Sequence, residues 1–188
     1  MDLELQSTHV TGKFREHINS IDQELERVFL DGVEQNKQKL LRICSAYSED
    51  QEDVKDLFQE VLVNIWKSMP SFKANASIGT WMFRVTLNVC LRIQAKQSKK
   101  KKQFVNMDSV ELSMYAGHEA SSDERPELQQ MRACIKKLNE ADKAVITLYL
   151  EELAYKEIAE ITGLTENHVA VKIKRIKNKL LNCINGRS

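Results

Sequence analysis

Apolar residues in this chain recur at three- and four-residue spacing, and no stretch alternates apolar with polar long enough to build a sheet. From Ser48 to Met69 the pattern is clearest. Val54, Leu57, Phe58, Val61, Leu62, Ile65 and Trp66 fall on one side of a helix, and Pro70 ends the run because it lacks an amide N–H and crowds the preceding turn. Only six Gly and two Pro punctuate 188 residues, so the pattern predicts an all-α fold. Upstream, Phe14 to Tyr47 supplies one or two further helices, with Leu25, Phe29, Val33, Leu40, Leu41 and Ile43 as candidate core. A short loop from Ser71 to Gly79 leads to Thr80, which reads as the N-cap of a helix running to about Lys100. Periodicity lapses from Gln103 to Arg125, where Asn106, Asp108, Gly117, Ser121, Ser122 and Asp123 give linker composition. Two more helices follow, Glu127 to Leu138 and Asp142 to Leu150, the second capped by Asn139. The organisation predicted is two small helical domains, 14–102 and 126–184, joined by a flexible linker over 103–125.

The last segment carries the most specific local signal. Leu153 to Leu180 reads LAYKEIAEITGLTENHVAVKIKRIKNKL: a helix, a glycine turn and a second, cation-rich helix. Ala159 is small, and Gly163 four positions later suits a turn that needs positive φ. Thr165 is a good N-cap, although His168 in place of Glu or Gln leaves the capping box incomplete. Leu164, Val169, Ile173 and Ile176 supply a buried side, and these offsets let two helices cross closely, as in a DNA-binding helix-turn-helix. Asn167, His168, Lys172, Lys174, Arg175, Lys177 and Lys179 take the exposed side, which would otherwise be a solvated basic helix.

Charge distribution agrees with that reading although net charge, +1, does not announce it. Lys96 and Lys99 to Lys102 place five lysines in seven residues, and Lys172 to Lys179 places five cations in eight. Acids concentrate elsewhere, at Glu49 to Glu60 and Glu111 to Glu127. Two separated basic patches suit two phosphate contacts. No apolar run approaches the ~20 residues of a bilayer span, and MDLELQSTHV has no apolar signal-peptide core, so a cytoplasmic protein without membrane insertion is expected. Cys44, Cys90, Cys134 and Cys183 lie far apart without metal-ligand spacing, and buried free thiols are expected rather than a zinc site.

Two helical faces offer binding chemistry. After Thr80, residues Trp81, Met82, Val85, Val89 and Ile93 form an apolar stripe. Thr80, Arg84, Asn88, Arg92 and Lys96 step along another line. That line suits a nucleic-acid backbone, with Trp81 and Phe83 either stacking on unpaired bases or belonging to the core. The preceding helix shows Asp53, Asp56, Gln59, Glu60 and Asn64, a face for solvent or for a partner. These carboxylates lack an accompanying His or phosphate loop, so metal-dependent nucleic-acid chemistry is the weaker reading. No catalytic residues, metal ligands or cofactors are predicted.

Taken together the chain resembles extracytoplasmic-function sigma factors of the sigma-70 family, from about residue 25 to residue 184. DVKDLFQEVLVNIWKSMPSF and SIGTWMFRVTLNVCL are similar to the consecutive signatures of region 2, and Leu153 to Leu180 is similar to the region 4 helix-turn-helix. The resemblance implies that the face of Asp53, Asp56, Gln59, Glu60 and Asn64 binds the clamp helices of core RNA polymerase. It implies that the loop of Lys73, Ala74, Asn75, Ala76 and Ser77 captures a base flipped from the −10 element. Trp81, Arg84 and Asn88 would support strand opening, while Arg92, Lys96 and the following lysines hold phosphates. Thr165, Glu166, Asn167, His168, Val171, Lys172, Lys174 and Arg175 would meet the −35 duplex, with His168, Lys172 and Arg175 foremost. The sequence departs from common family usage at Ile78-Gly79, Leu91-Arg92 and Ala170-Val171. The implied function is promoter-specific transcription initiation with core polymerase, single-stranded −10 and double-stranded −35 DNA and an anti-sigma factor as partners. The rival is a stand-alone helix-turn-helix regulator that binds duplex DNA without polymerase.

Overall fold

The computed structural model describes residues 3–105 and 125–186, with side chains over 23–98 and 125–186. Among these residues the fold is all α, with no strand. The stretch 106–124, which holds most of the sequence-predicted linker, and the side chains of Lys99 to Lys102 lie outside the described residues.

The amino-terminal bundle has three helices: α1 (Leu3–Ser45), α2 (Gln51–Ser68) and α3 (Ile78–Val105). The region predicted to hold one or two helices is thus a single helix to Ser45. Buried Ser48 donates to the Cys44 carbonyl at 3.0 Å and closes the α1–α2 turn. Asp50 caps α2 by accepting from the Asp53 amide at 2.8 Å. Pro70 sits in a short 3-10 turn, Met69–Ser71, that ends α2 as its ring requires. At α3 the cap differs from the sequence prediction. Ser77, not Thr80, caps the helix, its hydroxyl accepting from the Thr80 amide at 3.0 Å. The helix therefore starts earlier, and Thr80, only 3 % exposed, turns its hydroxyl to other partners.

Leu40, Ile43, Val61, Ile65, Met69 and Met82 are essentially fully buried where these helices meet. Each such side chain contributes about 1.5–3 kcal/mol through removal from water. Two glycines sit close to facing side-chain ends at the α1–α3 crossing: a Cβ on Gly79 would lie 2.9 Å from Asn36 Oδ1, and one on Gly32 would lie 2.7 Å from Met82 Cε, so either would make that side chain shift. Gly79, a departure from family usage, thus lies against the Asn36 side chain. Phe83 joins the core, as one of its two sequence readings allowed. Trp66 does not. It is 44 % exposed, with its ring edge-on to Phe29 at 5.2 Å, because α1 covers only part of the wide apolar stripe on α2.

The carboxy-terminal bundle packs α4 (Pro126–Lys136), α5 (Glu140–Leu150), α6 (Tyr155–Thr162) and α7 (Glu166–Ile184) around Val145, Ile146, Leu148, Ile158, Val169, Ile173 and Ile176. Asn139 caps α5 by accepting from the Asp142 amide at 2.9 Å. The four cysteines are not all free thiols. Cys134 on α4 and Cys183 at the end of α7 form a disulfide, because the bundle brings their Cα atoms to 6.0 Å, within bridging distance. Cys44 and Cys90 remain free and buried. The two bundles touch through the end of α1 and the first half of α3, which meet α5 and α6.

Candidate nucleic-acid interface

The helix-turn-helix forms as its spacing demands. Gly163 has φ 74° and its amide donates to the Ala159 carbonyl at 2.9 Å, ending α6 in a left-handed turn that a side chain would strain. Thr165 Oγ1 accepts from the His168 amide at 3.3 Å and starts α7. Buried Ala159 and Val169 sit at the crossing, so Glu166, Asn167, His168, Val171, Lys174 and Arg175 are left exposed along α7.

The cations of α7 are not equivalent. Asp142, 5 % exposed, accepts from Lys172 Nζ and Lys179 Nζ at 2.6 Å each. Burial pushes the Asp142 carboxyl up, but the two ammonium groups outweigh it and hold it below the usual carboxylate range. Lys177 donates to the Tyr149 hydroxyl at 2.8 Å and lies 4.4 Å from the ring centre. Lys174 and Arg175 have no ion-pair partner among the described residues. Three lysines thus anchor α7 to α5, and two cations stand out from it.

In the amino-terminal bundle, Arg84, Asn88, Arg92 and Lys96 are exposed along one line of α3, as the four-residue spacing predicts, but Thr80 at its start is buried. Trp81 is half-buried, with Phe72 tilted against it at 5.2 Å. The adjacent loop carries exposed Lys73, Ala74 and Asn75, half-buried Ala76, and the capping Ser77. Ala74 takes φ 54°, a left-handed conformation that costs a non-glycine residue about 1–2 kcal/mol. On α2, Asp53, Asp56, Gln59 and Glu60 are exposed and Asn64 is half-buried. This acidic face meets the α3 line at Arg92, which donates to Asn64 Oδ1 at 3.1 Å and lies 3.4 Å from Glu60 Oε1.

Sequence reasoning missed two contributors. Leu30 on α1 is an exposed apolar side chain, and so are Val63 and Trp66 on α2, the helix that carries the acidic face. An exposed apolar group beside charge marks a macromolecular contact more than a solvated face does. Its signal was the α2 stripe, too wide for one buried face once Val63 is counted. The second is a set of acceptors on the carboxy-terminal bundle, the Glu151 and Glu157 carboxylates and the Glu160 carbonyl, which receive Arg42, Thr80 and Arg84 of the amino-terminal bundle. Nothing local in the sequence marks it.

Among the described residues, no group of three or more His, Cys, Asp or Glu side chains is placed to hold a metal ion. No described helix is long and apolar enough to cross a membrane.

Residues 33–100 match the model of Sigma-70 region 2, and residues 128–180 match that of Sigma-70 region 4. The chain is 25% identical over 177 residues to the ECF RNA polymerase sigma factor SigW of Bacillus subtilis, covering 88% of this chain and 94% of the relative. It is 27% identical over 140 residues to the ECF RNA polymerase sigma-E factor of Escherichia coli, covering 69% and 73%. Its fold is shared with the sigma factor RpoE of Bartonella quintana, solved with the anti-sigma factor NepR (TM-score 0.62, 21% identity, 82% of this chain and 97% of that one). It is also shared with CnrH, solved with the cytosolic domain of CnrY (TM-score 0.64, 21% identity, 87% and 91%). The ordered pair of matched regions, borne on the two bundles that carry these two surfaces, places the chain in the sigma-70 family, among the extracytoplasmic-function sigma factors.

Proposed function

We infer that this sigma factor directs core RNA polymerase to its promoters through two surfaces with separate tasks. The amino-terminal bundle, taken as 14–102, docks on polymerase through Asp53, Asp56, Gln59, Glu60 and Asn64, and opens the −10 element. The carboxy-terminal bundle, taken as 126–184, reads the −35 duplex, and 103–125 tethers them. The observation that carries this reading is the coexistence, in one chain, of an exposed helix-turn-helix and an exposed Arg84–Asn88–Arg92–Lys96 line beside an acidic helix face. A stand-alone duplex-binding regulator has no use for the second surface.

In mechanism, the chain makes and breaks no covalent bond. His168, Lys174 and Arg175 approach the major groove from α7, while Thr165 and Glu166 orient its start. Flipping a base costs a few kcal/mol of unstacking, which the loop Lys73 to Ser77 and Trp81 must offset by enclosing that base. The left-handed Ala74 supports this role for the loop, since strained backbone concentrates where a site must be held in one shape. Arg84, Arg92 and Lys96 then neutralise phosphates of the opened strand. The protein acts in the cytoplasm, where polymerase and promoters are, and an anti-sigma partner like those solved with its structural neighbours holds it in reserve.

In vitro transcription with core polymerase tests the reading. Promoter-directed starts absent with core alone are expected. A chain that forms no stable complex with core, yet binds duplex promoter DNA, would establish the stand-alone regulator instead.

A further inference from the structure

The second helix of the helix-turn-helix carries one apolar side chain in the middle of its polar face. Val171 on α7 is 49 % exposed, whereas Val169, Ile173, Ile176 and Leu180 of the same helix are buried. At about 100° per residue, Val171 lies opposite the middle of that buried stripe. It is therefore on the line that α7 holds furthest from its own bundle. Exposed Asn167 and Lys174 flank it on one side, and exposed His168 and Arg175 on the other. Leu181, the other large apolar side chain exposed on α7, stands near the far end of the helix. Packing does not account for valine at this place. A β-branched residue forms helix less readily than alanine or the long polar residues, and here little burial offsets that. One exposed apolar residue is ordinary on a protein surface, but this one has a particular address. It lies six residues past the Thr165 cap, in the amino-terminal part of the helix that reaches base edges in this motif.

We propose that Val171 determines promoter specificity by reading the C5 methyl group of a thymine in the −35 element. This rests on the assignment of α7 to the −35 major groove. Among the groups that base pairs present in that groove, the thymine methyl is the apolar one. A cytosine at the same place would instead bring an amino group that valine leaves without a hydrogen-bond partner. The side chain suits the task, because a β-branched residue in a helix is nearly fixed at χ1 and loses little freedom on contact. The surrounding Asn167, His168, Lys174 and Arg175 supply hydrogen bonds and charge, which hold the helix in the groove but do not sense a methyl. Val171 is also a departure from common family usage, so the thymine preference belongs to this chain and not to the family at large.

Holoenzyme rebuilt from core polymerase and the full-length chain first selects its −35 segment from a promoter library randomised there. Each thymine of the selected segment is then replaced singly by deoxyuridine, which keeps the pairing and the O4 acceptor and removes only the methyl. Wild type is expected to lose about fourfold in affinity at one thymine, the worth of one methyl taken out of water. Val171→Ala, which keeps the helix because alanine is the better helix former, is expected to bind the thymine and deoxyuridine duplexes equally. Raising salt from about 50 to about 200 mM should weaken every complex yet leave the thymine-to-deoxyuridine ratio unchanged, since no phosphate is involved. A selected segment without thymine, or with none whose methyl matters, overturns the proposal. So does an equal penalty in both proteins, which would assign the methyl to another residue. Transcription that needs this chain but shows no preference anywhere in the randomised segment would sink the −35 reading itself. A selected −35 sequence that is indifferent to deoxyuridine sinks only the role of Val171.

Discussion

The two bundles each hold a cationic helix out to solvent, but they support it by different means. Behind α3 lies a core of Leu40, Ile43, Val61, Ile65 and Met82. Its two cysteines, Cys44 and Cys90, are free and contribute only as small apolar groups. Behind α7 the bundle is smaller, and cross-links supplement its core: the Cys134–Cys183 disulfide and the buried Asp142 that ties Lys172 and Lys179 to α5. In a bundle of this length such cross-links add to what apolar burial supplies. The difference shows that α7 is braced by cross-links within its own bundle, whereas α3 rests on apolar packing.

Removing the disulfide breaks this comparison most severely. Its two cysteines are 49 residues apart, and closing such a loop lowers the entropy of the unfolded chain by about 4 kcal/mol on the chain-entropy view. Cys134→Ser with Cys183→Ser is therefore expected to unfold the carboxy-terminal bundle at markedly lower urea, with the amino-terminal transition little moved. Tyr149 and Tyr155, against Trp66 and Trp81, give fluorescence probes of the two bundles. A single transition that shifts as a whole would show that the interface couples the bundles more strongly than their separate cores divide them.

Asp142→Asn is expected to do less. It retains a side chain of the same shape but gives up the charge between two ammonium groups. The cost is about 1–2 kcal/mol, below that of a fully buried pair because Lys172 and Lys179 still reach water. The pH dependence carries the more specific signature. The native carboxyl lies below its unfolded value, so its stabilisation is complete above about pH 5 and is lost as pH falls through the lowered native value. Urea midpoints from pH 6 to pH 3 are expected to fall less steeply for Asp142→Asn than for wild type. Identical slopes would assign the acid sensitivity to other carboxylates.

What the sequence made legible was local. Gly163, Thr165 and Asn139 announce their roles through turn and cap chemistry that a few neighbouring residues decide, and all three occupy those roles. Helical spacing likewise located α2 and the exposed line of α3. The misreadings depended on what lies across the fold. Trp66 fits the apolar stripe of its own helix, yet α1 covers it only in part, through Phe29. Thr80 is an acceptable cap in isolation, but Ser77 stands one turn earlier and Glu157 takes the threonine hydroxyl. Nor can spacing in sequence pair Cys134 with Cys183, or set Glu151 opposite Arg42. Of the two surfaces, α7 was the more legible, because its support is contained in a single short segment with strong turn signals.

The smallest expected effect separates the two kinds of cation on α7, and with them the division of labour between bracing and reading. Lys172 must leave Asp142, or share itself, to touch DNA, whereas Arg175 is exposed without an ion-pair partner among the described residues. Arg175→Ala should therefore weaken binding to duplex promoter DNA more than Lys172→Ala does. If Arg175 meets a phosphate, the loss is nearly uniform across sequences and the slope of log K against log salt becomes shallower by about 0.9. If it meets a base edge, the loss is about 1–3 kcal/mol and falls on one position of the site. Lys172→Ala should leave that slope almost unchanged while lowering the urea midpoint of the carboxy-terminal bundle, since its charge is already spent on Asp142. Neither substitution should alter binding to core polymerase, whose proposed contacts lie on α2. Equal salt slopes lost by both variants would mean that Asp142 releases Lys172 when DNA arrives, and that the buried carboxylate positions a reading residue rather than a brace.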